Sequence, residues 1–288
     1  GNTIANSSFR DSGFGARASR TGSYGVFLAG LGIDRGRDLE RPAPPNDPVR
    51  STYPIENSDR LTLSLEAPGT RGWSSFQLSG FVGRYRHLLD RTTPVAAGGT
   101  TISWSDSESW DAAFRASADR SLGNARFETG VNLSARLGLE SLVADKILDA
   151  GGTVISSLSS VAIENADRLD AGVFFVSDLP LTSSSWLSAG LRADTIAAKN
   201  EGGYFGDRSD RDSALSGHLA LSVRSSDSLV TTLQVARGFR APTLSDRYFR
   251  GPSGRGFVVG NPLLEPETTL QFDGSARWQR GSSSFAFF

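Results

Sequence analysis

Arg126-Phe127-Glu128-Thr129-Gly130-Val131-Asn132-Leu133-Ser134-Ala135-Arg136-Leu137-Gly138-Leu139-Glu140 has two chemical faces when written as an extended chain. Phe127, Val131, Leu133, Ala135, Leu137 and Leu139 fall on one side, and Glu128, Asn132, Ser134, Arg136 and Glu140 on the other, a period of two. The run exceeds the roughly 5–6 residues of a mean soluble strand and meets the roughly 9–11 that a tilted strand needs to cross a bilayer. One face therefore meets an apolar medium while the other stays wet. The same alternation sets Leu270, Phe272, Gly274, Ala276 and Trp278 against Gln271, Asp273, Ser275, Arg277 and Gln279. It recurs as Leu187, Ala189, Leu191 and Ala193 against Ser188, Arg192 and Asp194, and as Leu219, Leu221 and Val223 against His218, Ser222 and Arg224.

Between such strands the connections alternate between short and long. Tight polar turns are expected near Ser19–Gly22, Pro68–Gly72, Asp119–Asn124, Asp178–Ser184, Ser225–Ser228 and Arg280–Ser283, a step of roughly 50 residues. The stretches Asp34–Asp59, Arg84–Ser109, Ser141–Asn165, Ala198–Arg211 and Ala241–Thr268 carry no strand pattern and read as long loops. Short turns at one rim and long loops at the other describe an up-and-down antiparallel transmembrane β-barrel with periplasmic turns and extracellular loops. The expected fold is all-β, with about twelve strands in residues 1–288. Phe127 and Trp278 are in phase with the apolar face beside short turns, where an interfacial aromatic girdle belongs; Trp73 and Trp186 are one position out of phase and need a bulge or a lumen position.

Composition fits. Apolar residues make up 38% of the chain, below an ordinary globular share, as a polar lumen allows. No run approaches the ~18 apolar residues of a membrane helix, so membrane contact falls to strands. A net charge of −1 gives no reason to expect nucleic acid, and the absence of Cys excludes disulfides and thiol metal sites. The chain begins at Gly1 without Met or a signal sequence, and Phe285–Phe288 read as the opening of a further strand. It is expected to be cut from a larger barrel, because a bilayer does not tolerate the open edges of its outer strands.

Two boxes narrow the function: Ala236-Arg237-Gly238-Phe239-Arg240-Ala241-Pro242-Thr243-Leu244-Ser245, and Gly260-Asn261-Pro262-Leu263-Leu264-Glu265-Pro266-Glu267-Thr268. They resemble the Phe-Arg-Ala-Pro box and the Gly-Asn-Pro-x-Leu-x-Pro-Glu-Thr box of TonB-dependent outer-membrane receptors. Gly1–Ser8, with Asn2, Thr3, Ile4 and Asn6-Ser7-Ser8, is similar to a loop those receptors carry after their first few strands. The resemblance implies a barrel of about 22 strands around an N-terminal plug, with the plug and the TonB-contacting segment lying outside residues 1–288. It further implies an outer-membrane location in a Gram-negative-type bacterium, contact with outer-membrane lipid, a TonB-type energy-coupling partner, and a scarce metal chelate as cargo. A ferric siderophore leads. Haem receptors of the family usually carry a histidine between the boxes, and Thr243–Gly260 has none. Haem, cobalamin, copper chelates and oligosaccharides stay open as cargo, and a passive porin-like channel or surface adhesin is the reading from another class.

The motif residues Phe239, Arg240, Ala241, Pro242, Asn261, Pro262, Leu264, Pro266 and Glu267 are expected to shape the barrel rim: Pro242 ends strand pairing, and Pro262 and Pro266 bracket the next strand. No catalytic reading survives. His87, in an expected loop, and His218, on a lumen position, lack triad partners; Gly251-Pro252-Ser253-Gly254 has the wrong spacing for a nucleophile elbow. Gly13-Phe14-Gly15 lacks a third glycine and reads as a turn or a lumen-facing gap. Neither an enzyme nor a cofactor is expected. Asp207, Asp210 and Asp212 are interleaved with Arg208 and Arg211, which oppose a cation, so they read as a solvated loop tip. Lys occurs only at 146 and 199, leaving 28 arginines among 30 basic residues. Guanidinium forks suit the oxygens of an anionic chelate, with aromatic rings beside them. The candidate ligand-binding residues are therefore Tyr85, Arg86, Tyr204, Phe205, Tyr248, Arg250, Arg255 and Phe257, all placed in expected loops.

Overall fold

The computed structural model describes residues 7–42, 44, 46–95, 98–281 and 283–287. Asn2, Thr3, Ile4 and Asn6 of the expected N-terminal loop lie outside the described residues. Twelve long strands form one antiparallel path, each paired with its sequence neighbour: β1 (Arg10–Gly22), β2 (Gly25–Arg37), β4 (Arg50–Pro68), β5 (Ser75–Pro94), β6 (Thr100–Leu122), β7 (Ala125–Leu148), β8 (Val154–Pro180), β9 (Ser185–Asn200), β11 (Arg208–Ser226), β12 (Leu229–Arg240), β15 (Glu267–Arg280) and β16 (Ser283–Phe287). Short β3 (Leu39–Glu40) adds to β4, and β10 (Gly202–Gly203) to β8. Among the described residues a single helix, α1 (Leu244–Tyr248), and the hairpin of β13 (Arg250–Ser253) and β14 (Gly256–Val259) stand apart from the main sheet. No ladder joins β1 to β16 among the described residues, so the sheet is an open, curved wall.

Register carries each strand's polar face into its neighbour's. Glu128 stands opposite Asp119, Asn132 opposite Arg115, and Arg136 opposite Asp111 and Arg168. Asp194 pairs with Gly172, Arg192 with Ser216, His218 with Ala236, and Gln234 with Asp273. These residues share one face because directly opposed residues in an antiparallel ladder point the same way. Arg17, Thr62, Phe81, Arg115, Asn132 and Arg192, drawn from β1 to β9, line one hollow of about 600 Å³, so this face is the concave one. Ion pairs such as Arg115–Glu128 at 2.9 Å and Arg168–Asp170 at 2.8 Å satisfy it. Phe127, Val131, Leu133, Leu137, Leu270, Phe272, Ala276 and Trp278 take the opposite face, and Leu133 and Phe272 are 45% and 75% exposed there.

The apolar band ends in charge. Outward-facing Arg84 pairs with Glu108 at 2.5 Å, Arg86 with Asp106 at 2.6 Å, and Lys199 with Asp167 at 3.3 Å. A lipid-facing charge at mid-bilayer is costly, so these pairs mark the level where lipid gives way to water. Trp110, outward and just below Glu108 on β6, forms the upper aromatic edge. Near the other rim Phe127 meets Phe175, and Trp278 meets Phe285, with ring centroids 6.0 and 5.6 Å apart. Trp186 takes a lumen position, opposite Ser222, while Trp73 sits in the β4–β5 turn against Phe76. Gly13 and Gly15 are lumen-facing positions inside β1.

Four of the expected loops, 34–59, 84–109, 141–165 and 198–211, are mostly strand. Among the described residues only 95, 98 and 99 lie outside strands between β5 and β6, and only 149–153 between β7 and β8; β2, β3 and β4 take 34–37, 39–40 and 50–59. Tyr85, Arg86 and His87 are thus strand residues of β5, and Asp210 and Asp212 belong to β11 rather than to a solvated tip. Above the lipid both faces of a strand are wet, so the hydrophobic alternation that marks strands below is missing.

A second departure occurs at Gly138. Its φ of 58° and that of Asn165 at 44° accompany register shifts in both β7 and β8. The Gly138 N–H donates to Asp167 Oδ1 at 2.8 Å. The bulge inverts the phase of β7, as an extra residue must. Leu139, expected outside with Leu137, turns inward and is 7% exposed in a cluster with Ile163, Ala166, Ala198, Leu244 and Tyr248.

Candidate functional site

Pairing between β12 and β15 stops at Arg240–Glu267, and the chain between them turns over the concave face. The two sequence boxes form the base of this excursion and lock to each other. Arg240 reaches Glu267 at 3.4 Å and Asp246 at 3.1 Å. Thr243 Oγ1 accepts from the Asp246 N–H, and Asp246 Oδ2 accepts from the Thr243 N–H, a capping box that starts α1 just after Pro242. The Asn261 N–H donates to Asp246 O at 2.9 Å, and the Pro242 carbonyl accepts from Arg168 Nη1 at 2.9 Å. Pro262 and Pro266 lie in the segment from Gly260 to Glu267 that carries the chain back to the wall.

Helix α1 is fixed to the wall by charge. Arg247 is 2% exposed and bonds Asp212 at 2.8 Å, Asp210 at 3.4 Å and the Leu264 carbonyl at 2.8 Å. Tyr248 is fully buried and donates to Asp210. Burial first, then that carboxylate, pushes the Tyr248 phenol well above its ordinary value. Tyr248 is therefore a structural anchor within the excursion.

Beyond α1 the β13–β14 hairpin runs across the hollow towards β5 and β6. Its turn reaches the far wall, where the Gly254 carbonyl accepts from Arg41, from Ser51 Oγ at 3.3 Å and from Arg91 Nη1 at 3.4 Å. The hairpin and α1 roof a cavity of about 300 Å³ whose walls include Tyr53, Tyr85, His87, Ser107 and Ser141, with Phe249 above. Tyr85 donates to Glu56 Oε1 at 3.2 Å; burial, then Glu56, raises its phenol to about 12. Burial lowers the His87 imidazole, and its Nδ1 has no hydrogen-bond partner among the described residues. Both residues lie above the level marked by the Arg84–Glu108 pair.

A second cluster is exposed to water. Arg250 lies over the Tyr204 ring at 4.4 Å and over Phe257 at 5.3 Å, and Phe205 meets Tyr204 edge-on at 4.9 Å. Tyr204 and Phe257 are each 55% exposed, and no carboxylate pairs with Arg250 among the described residues. Four of the sequence-predicted ligand residues thus converge. The other four do not join them: Tyr85 lines the roofed cavity, Arg86 points outward into its pair with Asp106, Tyr248 is buried at the end of α1, and Arg255 sits at the hairpin turn. Sequence reading missed Tyr53 and Arg41, which carry no motif and meet the excursion only through the fold; Arg91 stood out only as one of many loop arginines.

Residues 2–288 match the family model described as TonB dependent receptor-like, beta-barrel. No curated protein sequence gives a match. Among solved structures, the chain is similar to the copper transporter OprC, at 17% identity and a TM-score of 0.73 over 97% of this chain and 44% of that one. It is also similar to the siderophore receptor PiuA from Acinetobacter baumannii (12% identity, TM-score 0.68, 96% and 49% covered). The ferric citrate transporter FecA in its unliganded form aligns at 14% identity and a TM-score of 0.62, over 95% and 41%. The chain thus spans less than half the length of each of these structures. With the family model covering nearly every residue of a wall that is polar inside and apolar outside, the chain belongs to the TonB-dependent receptor β-barrel family.

Proposed function

We propose that the full-length protein is an outer-membrane receptor and active transporter for a scarce metal chelate, with a ferric siderophore as cargo, and not an enzyme. In this reading residues 1–288 form part of the barrel, a plug outside them occupies the lumen, and a TonB-type protein of the inner membrane supplies the energy. The bacterium is of the Gram-negative type. Family membership supports the transport class, and the similarity to a siderophore receptor, a ferric citrate transporter and a copper transporter supports a metal-bearing cargo.

The observation that carries the cargo reading is Arg250 between the exposed Tyr204 and Phe257 rings, free of any carboxylate among the described residues. A guanidinium presented this way offers its fork to chelate oxygens while the rings offer apolar surface to the ligand's organic part. Uptake of radio-iron chelates by cells expressing the full-length receptor, compared with haem and cobalamin, tests the class. Arg250→Ala combined with Phe257→Ala should weaken binding of the cognate chelate about 10- to 150-fold, since a charge-assisted hydrogen bond contributes about 1.5–3 kcal/mol. Outer-membrane levels should hold, because neither residue belongs to the main ladder. Unchanged affinity in that double variant would remove the cluster from the cargo site.

A further inference from the structure

At the far end of the β13–β14 hairpin, Arg41, Asp47, Ser51, Arg91 and Arg255 line a cavity of about 150 Å³ between the turn and the wall. Arg41 and Arg91 both aim an Nη1 at the Gly254 carbonyl, and the same Arg91 nitrogen lies 3.4 Å from the Ser253 carbonyl. Ser51 Oγ is a third donor to Gly254 O, which has only two lone pairs. Each guanidinium carries five N–H donors, and among the described residues only one nitrogen of Arg41 and one of Arg91 is engaged. Arg255 brings a third positive charge from the hairpin side, and it is exposed.

Charge in this cavity does not balance. Asp47 is its sole carboxylate among the described residues, and one of its oxygens already accepts from the Val49 N–H at 2.9 Å. No ion pair engages Arg41, Arg91 or Arg255 among the described residues. Two guanidiniums converging on one neutral carbonyl repel each other, and a carbonyl dipole offsets that only in part. An anion between them relieves it, and forked N–H donors match the oxygens of phosphate and carboxylate. The volume suffices for such a group, as one water takes about 30 Å³ of liquid.

We propose that this cavity binds an oxyanion group, phosphate or carboxylate, between Arg41 and Arg91 on the wall and Arg255 on the hairpin, and that the bound anion latches the hairpin across the lumen. The site is separate from the Arg250 cluster, so its failure would leave the cargo reading standing. It also gives the hairpin two states: latched across the hollow when the anion is present, and freer to leave when it is absent.

Limited trypsin cleavage after Arg255 in the purified full-length receptor reads the latch directly. Inorganic phosphate or citrate at ~10 times its dissociation constant should slow that cut roughly tenfold, when opening is fast relative to cleavage. Chloride at matched ionic strength should not. Protection by phosphate alone assigns a phosphate group, and by citrate alone a carboxylate group. Arg41→Gln with Arg91→Gln should abolish the protection. Calorimetric titration with phosphate and citrate keeps the test decisive if that variant's hairpin swings out, because one-site binding to the wild type should be lost in the variant. Protection by neither anion, equal protection by chloride, or binding that persists in the double variant would overturn the proposal.

Discussion

Gly138 and His87 show how single residues set the upper lumen. The positive φ at Gly138 lets β7 invert its phase and send Leu139 beneath α1. A β-branched side chain resists that conformation, whereas Asn accepts it more readily. Gly138→Val should cost about 1–3 kcal/mol locally and loosen α1, with Gly138→Asn closer to wild type. Hydrogen exchange across residues 244–249 is the measurement, and identical exchange in the two variants would show that the bulge does not seat the helix. His87 supplies a pH effect of definite sign. Its imidazole lies below the ordinary value because burial disfavours the cation. Opening the roof restores the ordinary value of about 6.5, so the open state binds more protons as pH falls through that value. The closed roof should therefore hold at pH 7.5 and weaken towards pH 5, seen as faster exchange in 249–258. His87→Gln should flatten that dependence.

At the scale of the element, the excursion from Ala241 to Pro266 is a strap buckled at both ends. Its near end relies on Arg247, whose burial is sustained by Asp210 and Asp212 on β11 and by the Leu264 carbonyl farther along the strap. Arg247→Ala takes the guanidinium from Asp212 and leaves Asp210 only the Tyr248 hydroxyl, at a cost of up to about 3–5 kcal/mol, that of breaking a fully buried pair. The strap should then detach while the strands stay assembled, giving fast exchange in 243–260 with normal outer-membrane levels. Thr243→Ala removes only one side-chain bond of the capping box and should cost about 1 kcal/mol. A larger effect from Thr243→Ala than from Arg247→Ala would reverse this ranking.

Over the whole molecule, function depends on a wall with two solvents. Leu133 faces outward and neighbouring Ser134 faces the lumen opposite Asp170. Leu133→Arg should cost about 2–4 kcal/mol at mid-bilayer and lower the yield of assembled barrel. Ser134→Arg, one residue along, should assemble normally. Heat-modifiable mobility of the full-length receptor on gels compares the two, and equal loss in both would contradict the assignment of faces.

The alternation from Phe127 to Leu137 determined strand, face and membrane contact by itself, because lipid on one side and water on the other impose a chemical period of two. The two boxes likewise marked where β12 ends and β15 begins. Above the lipid that contrast disappears, so the upper halves of β4 to β8 read as loops, and Asp210 and Asp212 as a solvated tip. Only the tertiary structure decided that these carboxylates meet Arg247 and Tyr248, because that meeting depends on where a long connection folds back. The same holds for Arg41 and Arg91. They lie far from Gly254 in sequence, and no local pattern records that the hairpin turn comes to rest on them.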